Sequence, residues 1–304
     1  MSRAVHRTVL SVAAHDCFNA AQSTAYSAIV SLFPALIVAA AVIGLLPDTA
    51  PARFQLAAFF DRVLPPGVSP LLDAAFQNSP EHTHSVRALV TAGFVSFAGA
   101  SNVIATLMEG LRRAHELPRN AWSFWARRRR SLELVPLCLI PIAVVSMLVI
   151  FGHAVTGWLT ASIGPGVRSS IYAMTVLLRW VLALGASIGV TVMLYHLGVP
   201  EGKLRSRTAG TRSWRMVLPG AVLATAMWFI TTLLFGWYVT RFDNYSEVYG
   251  SIGAGIALLF WLYIISLSVL CGAEFNAQFN SQFRAHFGSA RANSARTDAP
   301  QELE

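Results

Sequence analysis

Charge is scarce in this sequence. Asp, Glu, Lys and Arg make up 12% of its 304 residues, about half of the roughly 25% carried by an ordinary soluble domain. That shortage excludes a water-soluble enzyme of average type and a disordered basic tail. Cysteine is nearly missing too: Cys17, Cys138 and Cys271 are far apart, odd in number and form no C-x-x-C pair. Neither a disulfide framework nor a zinc site follows from them. There is no G-x-S-x-G, no Walker loop and no H-E-x-x-H, so no active site is defined by motif. A secretory signal is not expected either, because the apolar stretch Val9 to Ala14 is too short and Asp16 follows it.

What the sequence has instead is apolar length. Hydrophobic residues form 55% of it, and the mean hydropathy is +0.53. A bilayer core about 30 Å thick needs roughly 20 apolar residues in a helix. Runs free of Asp, Glu, Lys and Arg cover Cys17–Pro47, Ala88–Met108, Leu134–Val167, Trp180–Pro200, Met216–Thr240 and Val248–Ala273. In the third run, Gly152, Gly157 and the turn Gly164-Pro165-Gly166 argue for one helix followed by an outer loop. The expected fold is an all-α integral membrane protein with six transmembrane helices, at about 23–46, 88–108, 134–158, 174–197, 216–240 and 250–275. Together these form a membrane domain over 23–287. Residues 1–22 are expected to form an interfacial helix, and 288–304, small and polar, a disordered tail.

The basic balance, 23 Lys and Arg against 15 Asp and Glu, first suggests nucleic acid. The placement of those charges argues otherwise. With the N-terminus inside, 17 of the 23 basic residues fall on the cytoplasmic side, which is the bias of a multi-pass protein of the bacterial cytoplasmic membrane with both termini inside. The run Arg127-Arg128-Arg129-Arg130 stands just before the third span, where each arginine gains about 1 kcal/mol from anionic headgroups. The expected partners are therefore membrane lipids at the cytoplasmic face, not nucleic acid. A further copy of the chain or an envelope protein is the other partner class.

The first outer loop is the only long one. Leu56, Phe59, Phe60, Val63 and Leu64 recur on one helical face after Pro51, and a second short helix is signalled by Ser69 before Pro70. Two readings fit: amphipathic helices lying on the outer surface, or a lid over a cavity.

Several polar groups are candidates for function. Arg179 falls near the outer end of the fourth span, and Ala183, Ser187, Thr191 and Tyr195 continue from it as a slanted stripe. The stripe reads either as a packing seam or as a polar pathway with Arg179 at its mouth. Glu274 closes the sixth span and Glu109 the second. Pairing with Arg112 or Arg113 is the plain reading of each; proton or cation coupling is the alternative for Glu274. Pro34 is expected to kink the first span, freeing the Val30 carbonyl for the Ser31 hydroxyl. Asn19, Gln22 and Asn102 are further polar candidates. Gly250, Gly253 and Gly255 read as close packing rather than a dinucleotide loop, since no strand precedes them. His82 and His84 are weak metal candidates without a third ligand. No cofactor is expected.

Two blocks carry a family resemblance. Ala25-Tyr26-Ser27-Ala28-Ile29-Val30-Ser31-Leu32-Phe33-Pro34 is similar to the first-span signature of the YihY/BrkB family of bacterial inner-membrane proteins. So is the stretch from Val248-Tyr249-Gly250-Ser251-Ile252-Gly253-Ala254 to Gly272-Ala273-Glu274-Phe275-Asn276-Ala277. Arg179-Trp180 and Tyr195-His196 resemble its fourth-span pattern. The similarity covers about residues 15–285. It implies six spans with both termini cytoplasmic, and it carries two older labels, ribonuclease BN and serum-resistance virulence factor. The family commonly has Asn where Arg113 stands, so no role is carried over to that position. The residues offer no ligand set for metal-dependent RNA cleavage, so an enzyme is not expected. The expected function is transport or lipid handling at the bacterial envelope, with a membrane scaffold as the alternative and a ribonuclease as the disfavoured third.

Overall fold

A computed structural model describes residues 2–44, 86–160, 165–200, 214–241, 253 and 255–279. The helices expected in the first outer loop, His82, His84, Gly250 and the tail 288–304 lie outside the described residues. Within them the chain is helical and has no strand. The helices are α1 (Ser2–Ala14), α2 (Cys17–Gly44), α3 (Val86–Ala114), α4 (Phe124–Thr160), α5 (Pro165–Leu197) and α6 (Trp214–Arg241), then α7 (Gly255–Phe279). A 3-10 turn at Arg119–Ala121 joins α3 to α4.

Four of these are long and apolar enough to cross a membrane: Val90–Ala114, Tyr172–Leu197, Trp214–Trp237 and Gly255–Phe279. Of the other two expected spans, 134–158 falls within α4 and 23–46 coincides with α2 as far as Gly44. Phe94, Met174, Leu177, Leu233 and Trp237 turn outward and are exposed. Apolar side chains this dense on an outer surface suit lipid rather than water. The protein is a multi-pass, all-helical membrane protein.

Local chemistry explains the element boundaries. Segment 1–22 divides in two: α1 stops at Ala14, Asp16 takes a left-handed φ of 60°, and α2 begins at Cys17. A short polar residue pays little for that conformation, and the Asn19 side chain donates to the Asp16 carboxylate at 2.6 Å. The fourth expected helix starts earlier than its uncharged run, at Pro165. Proline suits a first turn because its missing N–H would have no partner there. The helix carrying the third expected span starts at Phe124, so the basic run 127–130, which precedes that span, is helical.

Consecutive helices pack on one another, most extensively α2 on α3. Gly99 on α3 lets Ser31 of α2 come close, since a Cβ at residue 99 would collide with it. The Ser31 hydroxyl donates to the Ala28 carbonyl at 2.9 Å. It therefore does not serve the Val30 carbonyl that Pro34 frees, because its rotamer reaches one turn back to the i−3 carbonyl. α7 packs against α3, α5 and α6. Leu270 fills the space over Gly110 of α3, while Gly272 lies against Gly220 of α6. The buried core gathers Ala21, Leu111, Tyr195, Val217, Ala221 and Leu270 from five helices.

Candidate functional site at the basic end of the bundle

The polar residues of the chain converge where α3 ends, α4 begins and α7 closes. The last turns of α7 anchor this end. Pro219 stands inside α6, lacks an N–H and crowds the carbonyl one turn before it. Just there, Asn276 of α7 accepts the Gly220 N–H at 2.7 Å and donates to the Val217 carbonyl at 2.8 Å. Asn276 is fully buried, so both halves of its carboxamide are spent on the neighbouring backbone. A Cβ added to Gly272 would meet the Tyr195 hydroxyl at 2.6 Å and the Ala224 Cβ at 2.7 Å. Only a glycine admits α5 and α6 this closely. The Tyr195 hydroxyl donates to the Val269 carbonyl.

One turn along α7 from these contacts, Glu274 has no exposed surface. Its Oε1 meets His15 Nδ1 at 2.8 Å and accepts from the Cys17 thiol at 3.6 Å. Its Oε2 has no hydrogen-bond partner among the described residues. The carboxylate therefore faces the α1–α2 junction, and no arginine pairs with it among the described residues. The reason is the break at His15-Asp16, which folds α1 back so that His15 lies over the end of α7. Gln278 secures the same contact, donating to Ser11 at 3.0 Å. Cys17 precedes the first expected span. Burial first, then the Glu274 carboxylate, pushes its thiol up to about 12.

Glu109, by contrast, is the hub of the arginines. It pairs with Arg112 at 2.7 Å, Arg113 at 3.6 Å and Arg127 at 3.5 Å. Arg112 is buried and also donates to the Leu117 carbonyl, fixing the turn after α3 where Glu116 has a φ of 51°. Arg113 reaches across to Asp16 at 3.1 Å. Arg128 donates to Asn102 at 2.6 Å, and the Ser101 and Ser131 hydroxyls meet at 2.8 Å. These contacts tie the start of α4 to α3.

Two cavities open beside this network. One of about 670 Å³ is lined by His15, Asp16, Arg112, Glu116 and Arg119, among others. The second, about 410 Å³, is a groove between α2 and α3. Polar side chains line it from both helices, Asn19, Ser23 and Ser27 on α2 and Asn102, Thr106, Glu109 and Arg113 on α3, with Ala20 and Ala105 between them. Spacings of three and four residues put each set on one helical face. Asp16, Glu109 and Arg113 line both cavities.

The sequence-derived candidates thus separate. Tyr195 and Glu274 belong to the basic end. Arg179 is half-buried on α5, sixteen residues before Tyr195 and so about 24 Å away along the axis. Ser187 and Thr191 are half-buried between them, and the Thr191 hydroxyl donates to the Ser187 carbonyl of its own helix. Gly253 is buried, whereas a Cβ at Gly255 would meet nothing. Sequence reasoning missed the pairing of His15 and Cys17 with Glu274 and the bracing role of Asn276. The one signal for them was the block from Gly272 to Ala277 itself.

No solved structure matches this chain. The chain is 29% identical over 269 residues to the ribonuclease-like protein YfkH of Bacillus subtilis (strain 168), covering 86% of this chain and 90% of that protein. It is 28% identical over 257 residues to a UPF0761 membrane protein of Xanthomonas campestris pv. campestris (strain B100), covering 84% of this chain. The chain spans only 56% of that relative's length. A membrane protein of Xanthomonas axonopodis pv. citri (strain 306) matches to the same extent. The Virulence factor BrkB family profile matches residues 8–297, which takes in the α1–α2 junction, the groove and the closing block of α7. On that match the chain belongs to the Virulence factor BrkB family.

Proposed function

We propose that this protein handles lipid in the bacterial cytoplasmic membrane. It would cross six times, with α2 and α4 as the first and third spans and both termini in the cytoplasm. The groove between α2 and α3 carries the reading. Its wall runs from Asp16 to Ser27, eleven residues or about 16 Å of helix, from the interfacial segment into the start of the first expected span. Asn19, Ser23 and Asn102 in it are exposed. Polar side chains facing acyl chains are costly and mark pathways; water and a lipid headgroup in the groove would satisfy them while the acyl tails stay in the bilayer. Arg179, near the outer end of the expected fourth span at 174–197, is the proposed contact for an anionic group at the outer leaflet. This reading involves no covalent chemistry.

The test is reconstitution into liposomes with lipid labelled on an acyl chain, followed by bleaching from outside. Wild-type protein should expose inner-leaflet label faster than empty vesicles. Ser23→Leu together with Asn102→Leu, which places two apolar side chains across the middle of the groove, should abolish the gain. Equal rates with and without protein would remove the assignment.

A further inference from the structure

The order of charges at the mouth of the groove bears on which headgroup it takes. Four side chains alternate in sign there: Asp16, Arg113, Glu109 and Arg127. The successive separations are 3.1 Å, 3.6 Å and 3.5 Å. All four line the groove, and two charges of each sign sum to zero. Each keeps between 29% and 53% of its side chain exposed, so these ion pairs are screened and easily opened. Arg112 is different: it is buried against Glu109 and Leu117 and stays with the protein. Arg128 holds Asn102 from the rim.

We propose that the ligand of the groove is a zwitterionic phospholipid, with a phosphate and an ammonium group in one headgroup as in phosphoethanolamine. This rests on the lipid-handling reading above. A phosphate entering the mouth takes the contacts of Arg113 and Arg127, which releases Asp16 and frees the side of Glu109 that Arg112 does not hold. An ammonium a few ångströms away takes those two carboxylates in turn, so every opened ion pair is replaced by one of the same kind. An anionic headgroup such as phosphoglycerol satisfies the arginines but leaves Asp16 without a cation, while Glu109 keeps Arg112. A neutral sugar headgroup replaces neither. Specificity here is the repulsion of the wrong ligand as much as attraction of the right one.

The experiment uses the same proteoliposomes with two acyl-labelled lipids, phosphatidylethanolamine and phosphatidylglycerol, and a soluble arm of radiolabelled phosphoethanolamine. Wild-type protein should move the zwitterionic lipid about fivefold faster, the ratio expected from roughly one exposed ion pair. Asp16→Asn suits the left-handed backbone at that position, removes one negative charge and should close the gap. Arg127→Gln, on a different helix, should widen it, so the idea does not depend on one variant folding. Equal rates for both lipids in wild type would overturn the headgroup inference and leave lipid handling standing. No movement of either lipid would remove lipid handling itself. Uptake of soluble phosphoethanolamine without lipid movement would overturn both in favour of a solute route.

Discussion

Asn276 on α7 and Gly220 on α6 are joined at 2.7 Å, side-chain oxygen to backbone N–H, directly after the proline that interrupts α6. The same carboxamide gives its N–H to Val217. One side chain thus braces a helix where proline weakens it, and both backbone partners are buried. Asn276→Ala should cost about 1–3 kcal/mol, the usual penalty for leaving buried polar groups unpaired. Reversible unfolding in mixed micelles measures it, and an unchanged midpoint would show that α6 does not need the brace.

The glycine crossing beside it makes a sharper contrast. Gly272→Ala places a methyl group into Tyr195, Ala224 and the Gly220 carbonyl. Backbone cannot yield as a flexible side chain can, so we expect a loss of about 1–3 kcal/mol from overpacking. Gly185→Ala on α5 meets nothing within 4 Å and should leave the melting temperature unchanged or slightly raised. Equal behaviour of the two variants in a thermal-shift assay would refute the tight crossing.

Cys17 reports on its neighbours through pH. Only the thiolate is nucleophilic, and burial together with the Glu274 carboxylate pushes this thiol up to about 12. At pH 8 it is almost wholly protonated, so alkylation should be slow and should keep rising with pH far above the range of an ordinary cysteine. The Glu274 carboxylate is the second cause of that elevation after burial. Glu274→Gln removes the charge, lowers the Cys17 value and should speed labelling at pH 8. It should not restore ordinary reactivity, since burial remains. Peptide mass spectrometry with Cys138 and Cys271 replaced by alanine gives the rates; labelling unaffected by Glu274→Gln would place the carboxylate elsewhere.

Topology is open to a direct check. If α2 and α4 span as well as the four helices of Val90–Ala114, Tyr172–Leu197, Trp214–Trp237 and Gly255–Phe279, both ends of the chain share the cytoplasm. Green fluorescent protein fused after Glu304 should fluoresce, and alkaline phosphatase at the same place should be inactive. The opposite pair of results would place the C-terminus outside and overturn the proposed orientation.

The helical, membrane-embedded character of the chain was legible in the sequence because it depends on local sums. An uncharged run such as Val248–Ala273 is long enough to span whatever else the chain does. Boundaries were less legible: Pro165 begins a helix and Asp16 breaks one, each through a single residue's backbone preference that hydropathy does not register. For the polar residues the outcome was divided. Glu109 pairs with Arg112 as its place one turn away on the same helix suggests. Glu274 instead pairs with His15, 259 positions earlier, and the polar faces of Asn19, Ser23 and Ser27 and of Asn102 and Thr106 gain meaning only once α2 lies against α3.

By itself, then, the sequence determined the solvent: apolar length and the scarcity of charge select lipid, since burial in a bilayer scales with composition. The tertiary structure alone decided which polar atoms meet. Glycines at 99, 110, 220 and 272 set how near the helices come. Hydrogen bonds and ion pairs fall off over a few ångströms, so helix approach, not position along the chain, fixes the partners of Glu274, Asn276 and Arg113.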